Sequence, residues 1–326
     1  MKIFINTTLL FLILLLGLLL ILEVGSREVI NSKIEVKIKS KPQILLVGHS
    51  HPECAFNDSL INNFKNLAES GESYFYTYFK LQEVLAQNPS INTVFIEYTN
   101  NQIIAEMNNW IWDDFHMSYR FPIYAPFMSL EDQGLLLQNN PSGFLNALSY
   151  SNKAKITTLL KRDYDYSTKI GGYLYLNRNK TDSLLQSKGK SELDKGTIAP
   201  VDTGISVYNL QYLKKMVELL QQQGKKIYFV RSPLHPKYPG YDNEKEYQQI
   251  RVSQFKGIKY LDFSKFPLPN SDYADLEHIN YKGAVIFSSW FNSLLQEGLL
   301  ETVDAQGFIN ERIPIEKQPE NYLPKI

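Results

Sequence analysis

The chain has 326 residues, with 34 lysines and arginines against 34 aspartates and glutamates, so it has no net field of the kind that draws a protein to nucleic acid. That length fits one large domain or two ordinary ones, and a single cysteine, Cys54, excludes an internal disulfide framework and zinc–thiolate sites. The 21 tyrosines and 18 phenylalanines suit either a large core or a sugar-binding cleft.

From Ile3 to Leu22 the sequence is apolar except for Asn6, Thr7 and Thr8, with an unbroken run from Leu9. A membrane span needs about 20 such residues and a secretory core about 7 to 15, so length alone fits both. Leu22-Glu23-Val24-Gly25-Ser26 lacks a small-residue cleavage pattern, which favours an uncleaved signal-anchor over residues 1–24. Arg27, Lys33, Lys37, Lys39 and Lys41 on its C-terminal side argue for a cytoplasmic domain. The very short tail with Lys2 ahead of a large soluble domain argues for export, and a membrane-anchored domain on the extracytoplasmic side is the expectation. Residues 25–41, alternating at Ile34, Val36 and Ile38, read as a stalk.

The domain proper is expected over 42–299. Ile44 to Val47, between Pro42 and Gly48, reads as a buried strand, and Gly48-His49-Ser50 follows where open α/β sheets hold their ligands. Glu53 to Lys65 looks helical, with a polar break at Asn57-Asp58-Ser59, and Phe64 to Ala68 reads as a short second strand ending in the Glu69–Ser73 turn. Tyr74 to Gln87 has helical spacing and is stopped by Asn88-Pro89; Ile91 to Tyr98 is a third strand. This alternation predicts a parallel sheet wound by right-handed crossovers. Residues 103–206 break the rhythm and read as a mostly helical insertion, with a loop at Lys180 to Lys195. Leu210 to Gln223 is an amphipathic helix; strands follow at Lys226 to Val230 and Ile258 to Phe263, and a last helix at Lys282 to Glu297. Residues 300–326 read as a loosely packed tail.

Serine is a weak nucleophile without a base in hydrogen-bond reach, and the base benefits from a carboxylate that fixes its tautomer. Ser50 is the candidate nucleophile. Asp275-x-x-His278 supplies base and carboxylate from one turn, and the N–H groups of Ser50 and Gly71 with the Asn100 amide are candidate oxyanion donors.

These stretches resemble the SGNH or GDSL-type hydrolases, named for a Ser, Gly, Asn and His in four separated blocks. The resemblance rests on Gly48-His49-Ser50 after a strand, Asn66 to Gly71, Asn100 after a strand, and Asp275-x-x-His278. The ending His278-Ile279-Asn280-Tyr281-Lys282-Gly283-Ala284 is similar to that of membrane-anchored SGNH-like proteins of envelope polysaccharide acylation. It implies a flavodoxin-like three-layer α/β/α fold with a parallel sheet of about five strands. It also implies ester hydrolysis or O-acyl transfer on a carbohydrate through an acyl-serine, with an acylated glycan or acyl donor as partner and a membrane acyltransferase as a further one. The pattern departs in two places: His49 stands where the family has Asp, and Tyr98-Thr99-Asn100-Asn101 replaces a Gly-x-Asn-Asp block. A catalytically silent glycan-binding or scaffold subunit is the alternative.

Plainer roles stand beside these. Ser50 can cap the following helix, His278 can hold its loop, Asn100 and Gly71 can be turn residues, and Cys54 is expected to pack. Arg231 either binds an anionic substrate group or pairs with a carboxylate; His235, in the same loop, and His49 are further candidates for substrate contact. His49 and His51 with His278 offer imidazoles for a metal, but residues two apart on a turn tend to diverge, so neither metal nor cofactor is expected. Trp110, Trp112, Phe115 and Tyr119 stack on sugars or pack in the core, and helical spacing favours the core.

Overall fold

The computed structural model describes residues 1–191, 204–238 and 243–313, with the side chains of 2, 16, 19–23 and 187–191 outside the description. Five strands, β1 (Ile44–Val47), β2 (Phe64–Asn66), β3 (Thr93–Glu97), β4 (Lys226–Arg231) and β5 (Lys259–Asp262), form one sheet in the order β2-β1-β3-β4-β5. Every pairing is parallel. The neighbouring strands β1 and β3 are buried at every residue because both of their faces are covered. Leu45, Val47, Val94, Ile96 and Phe229 point into one core, while Ile44, Leu46, Phe95, Tyr228, Val230 and Leu261 point into a second on the opposite face.

The helices are α1 (Lys2–Asn31), α2 (Ser50–Ala55), α3 (Tyr74–Gln87), α4 (Asn109–Trp112), α5 (Asp114–Tyr124), α6 (Leu130–Asn139), α7 (Pro141–Lys161), α8 (Thr181–Ser191), α9 (Val207–Gln222), α10 (Glu244–Gln254), α11 (Tyr281–Gln296) and α12 (Ala305–Arg312). Helices α3 and α9 carry the first core, and α2 and α11 the second. The insertion is mostly helical, as the loss of strand rhythm implied.

Four expectations change. The helix after Ser50 begins at the serine and ends at Ala55, because Asn57 caps a separate short turn at Asp58–Leu60. The Lys180 to Lys195 stretch opens as a helix at Thr181, whose N–H and hydroxyl bind Asn179 Oδ1 and the Tyr273 carbonyl; residues 192–203 lie outside the description. The 25–41 stalk is a strap: Ile30, Ile34, Val36 and Ile38 are buried, and Gln87 and Asn88 bond its backbone. The 300–326 segment begins packed, with α12 against β5, where Gln306 bonds both the N–H and the carbonyl of Asp262; residues 314–326 lie outside the description. Among the described residues no helix is long and apolar enough to cross a membrane, and α1 exposes the apolar side chains from Leu9 to Leu15.

Candidate active site

The strand order reverses direction between β1 and β3, and at such a switch point the loops at the strand ends part to leave a crevice. Ser50 stands there as the first residue of α2, half-exposed after β1. Gly48 makes this turn possible in a specific way: a Cβ at that position would stand 2.5 Å from Glu97 Cβ and 2.6 Å from its carboxylate. The absent side chain lets Glu97, at the end of β3, lie under the turn and accept the His49 N–H at 2.7 Å.

The partner loop precedes α11. Tyr273 and Ile279 pair across it, the Ala274 N–H bonds the His278 carbonyl at 2.8 Å, and Asn280 closes it. Asn280 accepts the N–H groups of Lys282 and Gly283 as N-cap of α11, and its amide donates to the carbonyls of Ser271 and Tyr273. In the resulting tight turn Asp275 Oδ1 accepts the backbone N–H groups of Glu277 and His278 and the His278 Nδ1–H, all at 2.9 Å. With the proton fixed on Nδ1, His278 Nε2 is an acceptor, and the Ser50 hydroxyl donates to it at 2.8 Å. Ser50, His278 and Asp275 are therefore brought together from opposite ends of the chain in hydrogen-bonded order.

Asp275 has a fourth partner the sequence reading did not single out. Arg178, from the insertion, donates to Oδ2 at 2.6 Å. Burial alone would raise the Asp275 carboxyl, but the bond and charge of His278, the Glu277 N–H and the Arg178 guanidinium hold it well below the usual carboxylate range. Arg178 is placed by an extended segment that laces the site's edge. The Leu174 N–H bonds the Glu53 carbonyl, the Leu176 carbonyl accepts the Tyr281 N–H, and the Lys180 N–H bonds the Ala274 carbonyl. No sequence signal marks Arg178, since it stands 97 residues from its partner in a stretch without motif.

The other expected site residues fall in different places. The Asn100 amide donates to Asn243 at 3.0 Å and its oxygen accepts from Arg231, so both ends are engaged away from the triad; its neighbour Asn101 faces the serine turn instead, accepting the His49 Nε2–H at 3.3 Å. Gly71 has positive φ, which a turn glycine adopts freely. Arg231, His235 and His49 are all buried, with exposures of 1%, 4% and 1%, and present no open face to a substrate. Arg231 pairs with Glu244 and Asp262, the plainer of its two readings. His235 bonds Asn270 and accepts the Lys237 N–H. Cys54 is buried, and burial pushes its thiol up.

The aromatic group divides. Trp112 packs on Tyr208, whereas Phe115 and Tyr119 are exposed. Trp110 stacks on His116 at 5.4 Å and meets His49 edge-on at 6.0 Å. His116 repeats the Asp275–His278 turn: Asp113 accepts its backbone N–H at 2.7 Å and its Nδ1–H at 2.9 Å. Its Nε2 lies 3.5 Å from where a Gly71 Cβ would stand, so a second oriented imidazole faces the expected oxyanion turn. The signal available in sequence was Asp113-x-x-His116, the same spacing as the first dyad.

His49 and His51 do not diverge. His49 is the N-cap of α2, and its Nδ1 accepts the His51 N–H, which folds both rings to the same side with centroids 4.4 Å apart. With Glu97 they bring three metal-ligand types within 4.8 Å, and His51, Glu277 and His278 form a second, more open group.

A model of an uncharacterised protein family matches residues 147–300, slightly under half of the chain, a span that holds Asp275 and His278 but not Ser50. Comparison with curated proteins found no match.

Proposed function

We propose that this chain is a membrane-anchored, SGNH-like serine esterase or O-acyltransferase acting on a cell-envelope carbohydrate. One observation carries the reading: Ser50, His278 and Asp275 form a relay at 2.8 and 2.9 Å with the imidazole held in the base tautomer. The strand order β2-β1-β3-β4-β5 supports a flavodoxin-like three-layer α/β/α fold. The run from Leu9 to Leu22 and the exposed apolar side chains of α1 support an anchor, with the domain on the extracytoplasmic side.

In this mechanism the Ser50 oxygen attacks the acyl carbonyl carbon as its proton passes to His278 Nε2. The carbonyl π electrons move to oxygen, and the N–H groups of Ser50 and Gly71 are the donors we assign to that charge. Collapse breaks the ester bond to the donor alcohol, which leaves with the proton from His278, and the acyl group remains on Ser50. Water or a sugar hydroxyl then gives its proton to His278 and attacks the acyl-serine, regenerating the free hydroxyl. Asp275 stays ionised throughout and stabilises the imidazolium. An acylated glycan is the substrate class, and a membrane acyltransferase is the partner that would supply acyl groups at the anchor.

The test is labelling of the full chain in detergent by a serine-reactive fluorophosphonate. The expected result is one labelled site, lost in Ser50→Ala and His278→Ala. A folded parent that does not label overturns the enzyme reading. A catalytically silent glycan-binding subunit then stands in its place, a reading favoured by the engagement of the Asn100 amide with Asn243.

A further inference from the structure

Beneath Ser50 lies a group of side chains that the serine mechanism does not use. His49 Nδ1 is 3.5 Å from Glu97 Oε2, and His51 Nδ1 is 3.5 Å from Glu97 Oε1. Neither pair meets hydrogen-bond geometry, and His51 Nδ1 and Glu97 Oε1 are buried without a hydrogen-bond partner. Leaving such atoms unpaired typically costs about 1–3 kcal/mol each, so their convergence asks for an explanation. Any two ligand atoms of a tetrahedral site with bonds near 2.05 Å stand about 3.3 Å apart, close to the 3.5 Å from each imidazole to its nearer Glu97 oxygen.

The outer partners fit the same reading. A histidine that binds metal through one nitrogen normally gives its other N–H to an oxygen acceptor, which fixes the tautomer. His49 Nε2 faces Asn101 Oδ1 at 3.3 Å, and Thr99 Oγ1 holds that oxygen at 2.5 Å. His51 Nε2 faces Glu277 Oε2 at 3.8 Å. Both imidazoles thus have an acceptor near the outer nitrogen; the inner nitrogen of His51 is unpaired, and that of His49 would exchange the His51 N–H for the ion. Arg231, at the end of the adjacent strand β4, has its charge paired by Glu244 and Asp262.

We propose that His49 Nδ1, His51 Nδ1 and the Glu97 carboxylate bind one divalent transition-metal ion of the zinc class, with a fourth position open toward Ser50. Ser50 Oγ, 3.4 Å from His49 Nδ1, lies on that side, where a substrate oxygen would complete the coordination. The site stands whether or not Ser50 is acylated.

The experiment titrates the chelator-treated full chain with cobalt(II), then displaces it with zinc. One equivalent of cobalt should give the intense visible bands of tetrahedral coordination, and zinc should remove them. His51→Ala and Glu97→Gln should abolish the bands. Asn101→Ala, which alters only an outer partner, should weaken binding about 10-fold without loss of fold. Ser50→Ala and His278→Ala should keep the bands, which separates this result from fluorophosphonate labelling and excludes the His51–Glu277–His278 group. The assignment is overturned if the folded parent binds no stoichiometric ion, or if Asn101→Ala leaves the affinity unchanged while His278→Ala removes it.

Discussion

Asp275 shows how one carboxylate can carry both a loop and a mechanism. Its Oδ1 accepts two backbone N–H groups and the imidazole, so an amide in its place keeps part of the turn but can present N–H to His278 Nδ1 and favour the wrong tautomer. Asp275→Asn should therefore lower turnover of an activated ester on the order of 10⁴-fold with a nearly unchanged melting temperature; a loss under tenfold would remove Asp275 from the relay. Glu97 makes a prediction of opposite character. Its carboxyl is raised by burial, so the folded state holds a proton that the unfolded chain releases above about 4.5, the ordinary glutamate value. The stability it contributes is complete below that pH and declines as pH rises toward the folded value. Glu97→Gln cannot ionise, so with a chelator present it should melt a few degrees above the parent at pH 7, and the advantage should vanish near pH 4. A difference independent of pH would mean that Glu97 is ionised in the folded protein.

The loop between β5 and α11 is the element on which the site depends. Asn280 is buried, caps α11 and ties the loop's first half to its second through two carbonyls. Asn280→Ala should cost about 2 kcal/mol, more than a surface cap, and should reduce fluorophosphonate labelling even at temperatures where the protein is folded. Labelling unchanged in a destabilised variant would show that His278 is positioned without the cap. The Asp275–His278 pair was legible in sequence, because three residues is a spacing that a tight turn closes, whereas Asn280 was read only as part of the ending His278 to Ala284 and its cap is seen in the fold. Tyr74–Gln87 was legible to the residue, since its apolar spacing and the Asn88-Pro89 stop act within one helix. What could not be read depends on distance. Arg178 reaches Asp275 only after the insertion folds across the strand ends, and Asn100 turns to Asn243 while Asn101 turns to His49 because a short turn aims adjacent side chains in different directions. The expected divergence of His49 and His51 failed for a related reason: a cap residue folds its side chain back over the first turn, which spacing alone does not reveal.

At the scale of the molecule, the domain begins earlier than the expected start at residue 42. The C-terminal end of α1 and the strap after it belong to the domain: Asn31 donates to the Pro126 carbonyl at 2.9 Å, Arg27 to that of Met128, and Ile30, Ile34, Val36 and Ile38 enter the core beside α3. Each buried aliphatic contributes about 1.5–3 kcal/mol as an upper estimate, and four of them compare with the 5–15 kcal/mol that holds a whole domain together. A fragment beginning at residue 42 should therefore expose the face of α3 that the strap covers and lose its cooperative melt. A fragment beginning at residue 25 keeps all four side chains and removes the apolar run from Leu9 to Leu22, so it should remain in solution without detergent and label with fluorophosphonate as the full chain does. Melting curves of the two fragments decide the point. Equal midpoints would show that the strap only rests on the domain, whereas a midpoint drop of more than about 10 °C would make residues 25–41 the first structural element of the domain rather than a tether.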